Sequence, residues 1–276
     1  MAANSAKKDQ FVVAYIADFD HANVVLSHAV QLSSMLHKGL ILLYIEDAKY
    51  PGPSTAEAET RLQAIKPPDA VYCAMKGDTR EIIGVLPTLL NAVVAVASVD
   101  AAAPRRSPLN PKTVLRNFAE CKIAFLTAQK PTDGQVYAKR VGITVDFKKE
   151  SKEKLLWGSY FVRFNQSSLY ALYVDYKDEG HKQKWYSNMK FLLKFMNSLS
   201  LQFQPCVIGS NANNLDLQAV DYAHANGIDL LCCVTTKDKD LLDQLIGPQE
   251  ERTIANRWQI PILFLNPRED LYVLCD

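Results

Sequence analysis

Hydroxyl and ammonium groups cluster after the apolar run 228–234, where Thr235, Thr236, Lys237 and Lys239 follow one another closely. Lysine side chains in such a loop can hold an anion as point charges. Arg105 and Arg106 invite the same comparison, and for both groups a solvated loop is the simpler reading. Asp18 and Asp20 could form the acidic pair of a phospho-receiver site. Lys148 stands where the second half of the chain would need the partner of Asp146, however, and no receiver pattern occurs elsewhere. Asp18 and Asp146 read more simply as caps at strand-to-helix junctions. The histidines, His21, His28, His37, His181 and His224, are scattered, with no His-Glu-x-x-His and no Cys/His cluster. No serine sits in a nucleophile elbow. Nothing assembles a nucleophile, a base and an oxyanion donor, so the expectation is a protein that is not an enzyme.

The elements that must position these residues come in duplicate, about 130 residues apart. VVAYIADFD (12–20) is answered by RVGITVDF (140–147), and LLYIED (42–47) by ALYVDY (171–176). VVAVASV (93–99) is answered by IDLLCCV (228–234), and CKIAFL (121–126) by IPILFL (260–265). Short apolar runs separated by helix-length segments imply a parallel sheet with helices on both faces. The expected fold class is therefore α/β, as two tandem doubly wound open parallel five-stranded sheets. Their boundaries are expected at 1–128 and 139–276, with the polar segment 129–138 as linker. Such sheets place ligands at the carboxyl ends of their strands.

Local signals fill in the connections. Gly39 is a plausible C-cap for the helix at 23–37, and Ser54 with Glu57 reads as a capping box. Pro87 should distort or end its helix, and Asn110 should cap a helix with Pro111 in its first position. The helix at 182–199 carries Trp185, Met189, Leu192, Leu193 and Met196 as a broad apolar stripe. That stripe is either internal packing or an extra interface, and the tail 271–275 could add an edge strand or cover a partner.

At 276 residues the chain can build two domains, each with its own core. Lys+Arg 31 against Asp+Glu 30 leaves no electrostatic footprint for nucleic acid or an anionic membrane. No apolar run approaches the roughly 20 residues needed to span a bilayer, and the first ten residues carry no signal-peptide pattern. Cys73, Cys121, Cys206, Cys232 and Cys233 lie in or beside strands without zinc-type spacing. They read as reduced packing cysteines of a cytoplasmic protein.

ITVDF (143–147), GDTREI (77–82), NGIDLLCCV (226–234) and RTIANRWQIPILFL (252–265) together resemble the universal stress protein family. The resemblance spans both repeats and implies a tandem member with an adenine nucleotide alpha hydrolase-like fold. Many members of that family bind ATP through G-x2-G-x9-G-[S/T] between the fourth strand and the last helix. Glycines there let backbone N–H groups approach phosphates. This chain departs from that pattern. No glycine occurs between Gly84 and Gly134, and Ala101, Ala102, Ala103 and Pro104 stand in the loop. In the second repeat Gly247 matches the last glycine, but Lys237 and Val234 replace the earlier two and Pro248 replaces the hydroxyl residue. Asp18 and Asp146 match the family's acidic position.

The resemblance thus implies a stress-response regulatory or interaction module without family-type ATP binding. No cofactor is expected. The two halves would pair as an intramolecular pseudo-dimer through their last strands, 122–127 and 260–265. Whole chains could also form homodimers, and a protein partner is expected that the sequence does not identify. The alternative is an atypical adenine-nucleotide binder or slow ATP hydrolase. It requires Asp146, Gly209, Lys237 and Gly247 to converge at one strand-end crevice.

Overall fold

Apolar runs too short for helices become strands when a sheet is covered on both faces, and the described residues form ten of them. The structure is a computed structural model that describes residues 10–133, 137–149, 151–210, 214–235 and 249–266. The first half runs β1 (Phe11–Tyr15), α1 (Ala22–Leu36), β2 (Gly39–Glu46), α2 (Thr55–Ile65) and β3 (Val71–Lys76). It continues through α3 (Thr79–Gly84), α4 (Leu86–Leu89), β4 (Ala92–Ser98), α5 (Pro111–Phe118) and β5 (Ala124–Ala128). The second half runs β6 (Arg140–Thr144), α6 (Ser151–Asn165), β7 (Ser168–Val174), α7 (Glu179–Ser198) and β8 (Gln204–Gly209). It ends with α8 (Leu215–Ala225), β9 (Leu230–Val234), α9 (Gln249–Ile254) and β10 (Ile262–Leu265).

The strand order is β3-β2-β1-β4-β5-β10-β9-β6-β7-β8. Each half is a parallel doubly wound sheet with the same internal order. The halves join edge to edge into one ten-stranded sheet where the two last strands meet antiparallel. Ile262 faces Thr127, Leu263 faces Leu126 and Phe264 faces Phe125 across that junction. Helices α1 and α6 cover the junction on one face, and α5 and α9 cover it on the other. The buried apolar layer on each face runs unbroken from one half into the other. Pro205 lies in β8, an edge strand of the sheet, where one missing N–H is tolerated.

Most local signals act as read. Ser54 and Glu57 form a full capping box on α2, and Asn110 caps α5 with Pro111 at its start. Around Pro87 the helix divides into α3 and α4, with the proline in the first turn of α4, where its missing N–H costs nothing. Gly39 does not cap α1. His37 takes the left-handed conformation there (φ 52°), and Gly39 opens β2. Its lack of a side chain serves packing instead, since a Cβ would lie 2.7 Å from the Phe11 ring. Among the described residues, no helix is long and apolar enough to cross a membrane. The five described cysteines are free thiols, and burial pushes Cys73 and Cys121 up to about 11.

Candidate functional site: two strand-end crevices

In the first half, Tyr15 ends β1, Asp47 follows β2, and Thr79 opens α3. All three are buried. Burial works to raise the Asp47 carboxyl, yet amide hydrogen bonds from Lys49 (2.9 Å) and Thr79 (2.9 Å) leave it lowered overall. Asp78 caps α3 through the amides of Arg80 (2.9 Å) and Glu81 (3.1 Å) and pairs with Lys49. Arg116 Nη2 donates to the Tyr50 hydroxyl at 3.0 Å. The ring of Phe118 stands edge-on to Tyr15, 6.2 Å away. These side chains contact one another at the strand ends of the first half.

The loop after β4 is knitted to itself. Asp100 N donates to Leu109 O (3.0 Å), Ala103 N to Asp100 O (3.1 Å), Ser107 N to Pro104 O (2.8 Å) and Asn110 N to Ser107 O (3.2 Å). Ala102 N donates to the Asp100 carboxylate at 2.8 Å, and Leu109 N to the Ser107 hydroxyl at 3.1 Å. Asn110 Nδ2 ties back to Ala103 O at 2.9 Å while its Oδ1 accepts Lys112 N at 3.2 Å. Arg105 and Arg106 point outward, exposed. Because Asn110 both caps α5 and closes the loop, Asn110→Ala should cost about 1–2 kcal/mol in urea denaturation. Asn110→Asp, which keeps the cap but loses the amide donor, should fall between the two. Equal stability of all three would show that the loop does not depend on this residue.

Asp18 is placed as a cap. Its carboxylate accepts Asp20 N at 2.7 Å at the start of the short 3-10 turn Phe19–His21, with His21 Nδ1 3.7 Å away. Asp146 behaves alike and accepts Lys148 N at 3.0 Å. Asn188, buried on α7, clamps this turn by donating to Asp146 O (2.9 Å) and Lys148 O (2.8 Å). Phe147 stacks on His181 with centroids 3.9 Å apart. Gly209 ends β8, and its carbonyl accepts Asp175 N at 2.9 Å. A Cβ there would collide with Gln218 Oε1 of α8, so this glycine makes room for a neighbour in the chain. Lys237 and Gly247 lie outside the described residues, as do the whole segment between them and the tail 271–275.

The group that sequence reasoning missed lies between β6 and β9, where the strand order of the second half reverses. Lys154 of α6 is 2 % exposed and donates from Nζ to Thr144 Oγ1, the last residue of β6, at 2.9 Å. Opposite it, Asp216 opens α8. Burial pushes its carboxyl up, Lys154 and the Thr144 hydroxyl hold it back, and Asp146 and Glu250 add to the rise. Burial also drives the Cys233 thiol far up, so it stays protonated beside this pair. The signal in the sequence is faint but physical. Lys154, Gly158 and Phe161 share one buried helical stripe, and a lysine in such a stripe requires an acidic partner. Above the site, Tyr176 and Trp185 bury a hydroxyl and an indole N–H that have no hydrogen-bond partner among the described residues.

No protein-family model and no curated protein sequence matches the chain. Solved structures do. An open α/β sheet of this order with paired last strands is the architecture of a universal stress protein from Archaeoglobus fulgidus, at TM-score 0.70 and 10% identity over 94% of this chain and 97% of that one. A functionally unknown protein from Pseudomonas aeruginosa is similar at TM-score 0.65 and 12% identity, over 97% and 96% of the two chains. A putative universal stress protein, also from Pseudomonas aeruginosa, is similar at TM-score 0.64 and 12% identity, over 98% and 96%. At these identities the likeness is one of fold. The chain has the universal stress protein fold along nearly its whole length.

Proposed function

We propose that the protein is a cytoplasmic stress-response regulatory or interaction module that does not bind ATP in the family's manner. Its two units, 1–128 and 139–276 with linker 129–138, would act as an intramolecular pseudo-dimer. The observation that carries this reading is that the β4–α5 loop amides of Asp100, Ala102, Ala103, Ser107, Leu109 and Asn110 donate to the loop's own oxygens. A phosphate held at such a loop needs those N–H groups, and here it would have to break their bonds first. In the second half, the Lys154–Asp216 pair stands at the strand reversal, the place where a doubly wound sheet accepts its ligand. Tyr186 and Leu193, 65% and 51% exposed on α7, support further self-association or a protein partner on that helix.

Thermal unfolding with and without ATP and Mg²⁺ tests the reading. A single-site ligand at 100 times its Kd adds about 2.7 kcal/mol, which for domains of this size is a rise of several degrees. No rise is expected at millimolar ATP. A saturable rise lost in Asp146→Ala would sink the proposal and favour the second reading, an atypical adenine-nucleotide binder or slow hydrolase in the second half. What favours that second reading is the unpartnered Tyr176 hydroxyl and Trp185 N–H beside the Asp146 turn.

A further inference from the structure

Between the two halves, away from both crevice networks, lies a cavity of about 770 Å³. That volume falls within the roughly 300–1,000 Å³ typical of small-molecule sites, which often form where domains meet. One wall is aromatic and comes from α6 and α7: Trp157, Tyr160, Phe164, Phe191 and Phe195. The other wall is built by the first half, from the start of β4 (Ala92, Val93) and from Ile123 and Ala124 at the start of β5. Leu156 and Phe164 stay 46% and 44% exposed on this face although the surrounding core buries its aliphatic side chains fully.

The charged residues around this apolar space are mostly of one sign, beside the uncharged Gln10 and Asn266. Lys38, Lys122 and Lys152 line it, against one carboxylate, Glu153. Lys38 and Lys122 make no ion pair with any described residue, and Lys152 Nζ lies 5.1 Å over the Phe191 ring. The chain as a whole is nearly neutral, at +1, so this excess of ammonium groups is local. Aromatic and aliphatic walls remove a hydrocarbon from water, and cations beside them compensate an anion that must stay near the surface.

We propose that the cavity binds a single-chain amphiphilic carboxylate, with its hydrocarbon against the α6–α7 aromatic wall and its carboxylate among Lys38, Lys122 and Lys152. A concave, partly open pocket of this size suits one chain, with its mouth leaving the charged head at the surface, whereas a flat face would suit a bilayer. Lysine ammonium groups suit a solvated, mobile head that needs no fixed bidentate geometry. The proposal does not depend on whether ATP binds, because none of the crevice residues discussed above lines this cavity.

The test is titration of the full chain with octanoate, decanoate and dodecanoate below their micelle concentrations, read by calorimetry and by the fluorescence of Trp157. Saturable one-to-one binding is expected, tightening about fourfold per methylene until the cavity is full. Lys122→Glu combined with Lys152→Glu should weaken dodecanoate at least tenfold with an unchanged melting temperature. Phe164→Glu, at an exposed position, should abolish binding while the fold persists. Dodecanol binding as tightly as dodecanoate would overturn the role of the lysines, and absence of binding would overturn the proposal outright. If sedimentation shows a dimer that dodecanoate leaves intact and that the two charge reversals split, the cavity is an interface between copies and the proposal also fails.

Discussion

Lys154→Met is expected to destabilise the protein by about 1–3 kcal/mol at neutral pH, because it removes the buried donor to Thr144 and the cation that holds back the partly buried Asp216 carboxyl. Lys154 is 2 % exposed and its ammonium bonds Thr144, so no water stands ready to take over the compensation. Asp216 also faces Asp146 and Glu250, both of which push its carboxyl up once the lysine is gone. The pH dependence follows from that direction. The folded carboxyl lies above its unfolded value of 3.8, so the folded state holds the proton more tightly than the unfolded state does. Stability from this group is therefore greatest in acid and falls as pH rises through the folded value. Removing Lys154 raises the folded value further, so the variant should lose more stability than the parent between acid and neutral pH. Urea denaturation of both proteins across that range checks it. Adding Asp216→Leu should restore much of the loss, since two apolar residues of similar volume need no compensation. A single variant as stable as the parent at every pH would show that the pair is not coupled.

The second large effect is expected at the junction. Phe264 is fully buried and stacks on Phe125 across the antiparallel β5–β10 pair at 5.6 Å, while Phe125 stacks on Phe118 at 4.7 Å. Phe264→Ala should cost about 3–5 kcal/mol through lost apolar contact and a residual cavity. Its position adds a further consequence. The junction ladder pairs Ile262, Leu263 and Phe264 with their partners, and the aromatic stack adds to the coupling between halves made by the bonds of Thr127 to Ile262, Gln129 to Asn256 and Asn266 to Phe118 and Cys121. Denaturant unfolding of the parent should be one transition, and that of Phe264→Ala should separate into two. Phe191→Ala, on the wall of the interdomain cavity, should cost less and leave a single transition. If Phe264→Ala unfolds in one step with an unchanged slope, the halves are coupled elsewhere, most directly through the α1–α6 and α5–α9 contacts.

Much of the architecture was legible because its signals are local. Doubly buried strands appear as apolar runs, and their recurrence about 130 residues apart identifies two copies of one unit. The Ser54 capping box, the Asn110–Pro111 helix start and the break at Pro87 each depend on residues within one turn of one another. The meeting of β5 with β10 was also expected, on resemblance to a family whose last strands pair.

The site was less legible. Asp18 and Asp146 stood out as acidic residues after strands, and both serve their own turns. Gly209 is one of the residues the nucleotide reading needs at a strand-end crevice, yet Gln218 occupies the space it leaves. Lys237 and Gly247 fall outside the described residues. Gly39 looked like a helix cap because it follows the helix, but the Phe11 ring, 28 positions earlier, decides its role.

The sequence by itself determined the α/β class, the duplication and the missing phosphate-loop glycines of the first half, because each depends on residue type at short spacing. Tertiary structure alone decided what fills the places those features leave open. It brought Lys154 beside Asp216 from two helices separated by two strands and a third helix, and it closed the β4–α5 loop on its own oxygens. It also set aromatic residues of the second half against strand ends of the first to form the cavity. Side-chain partners chosen across the fold leave no periodicity in the chain, since burial and charge compensation act through distance in space.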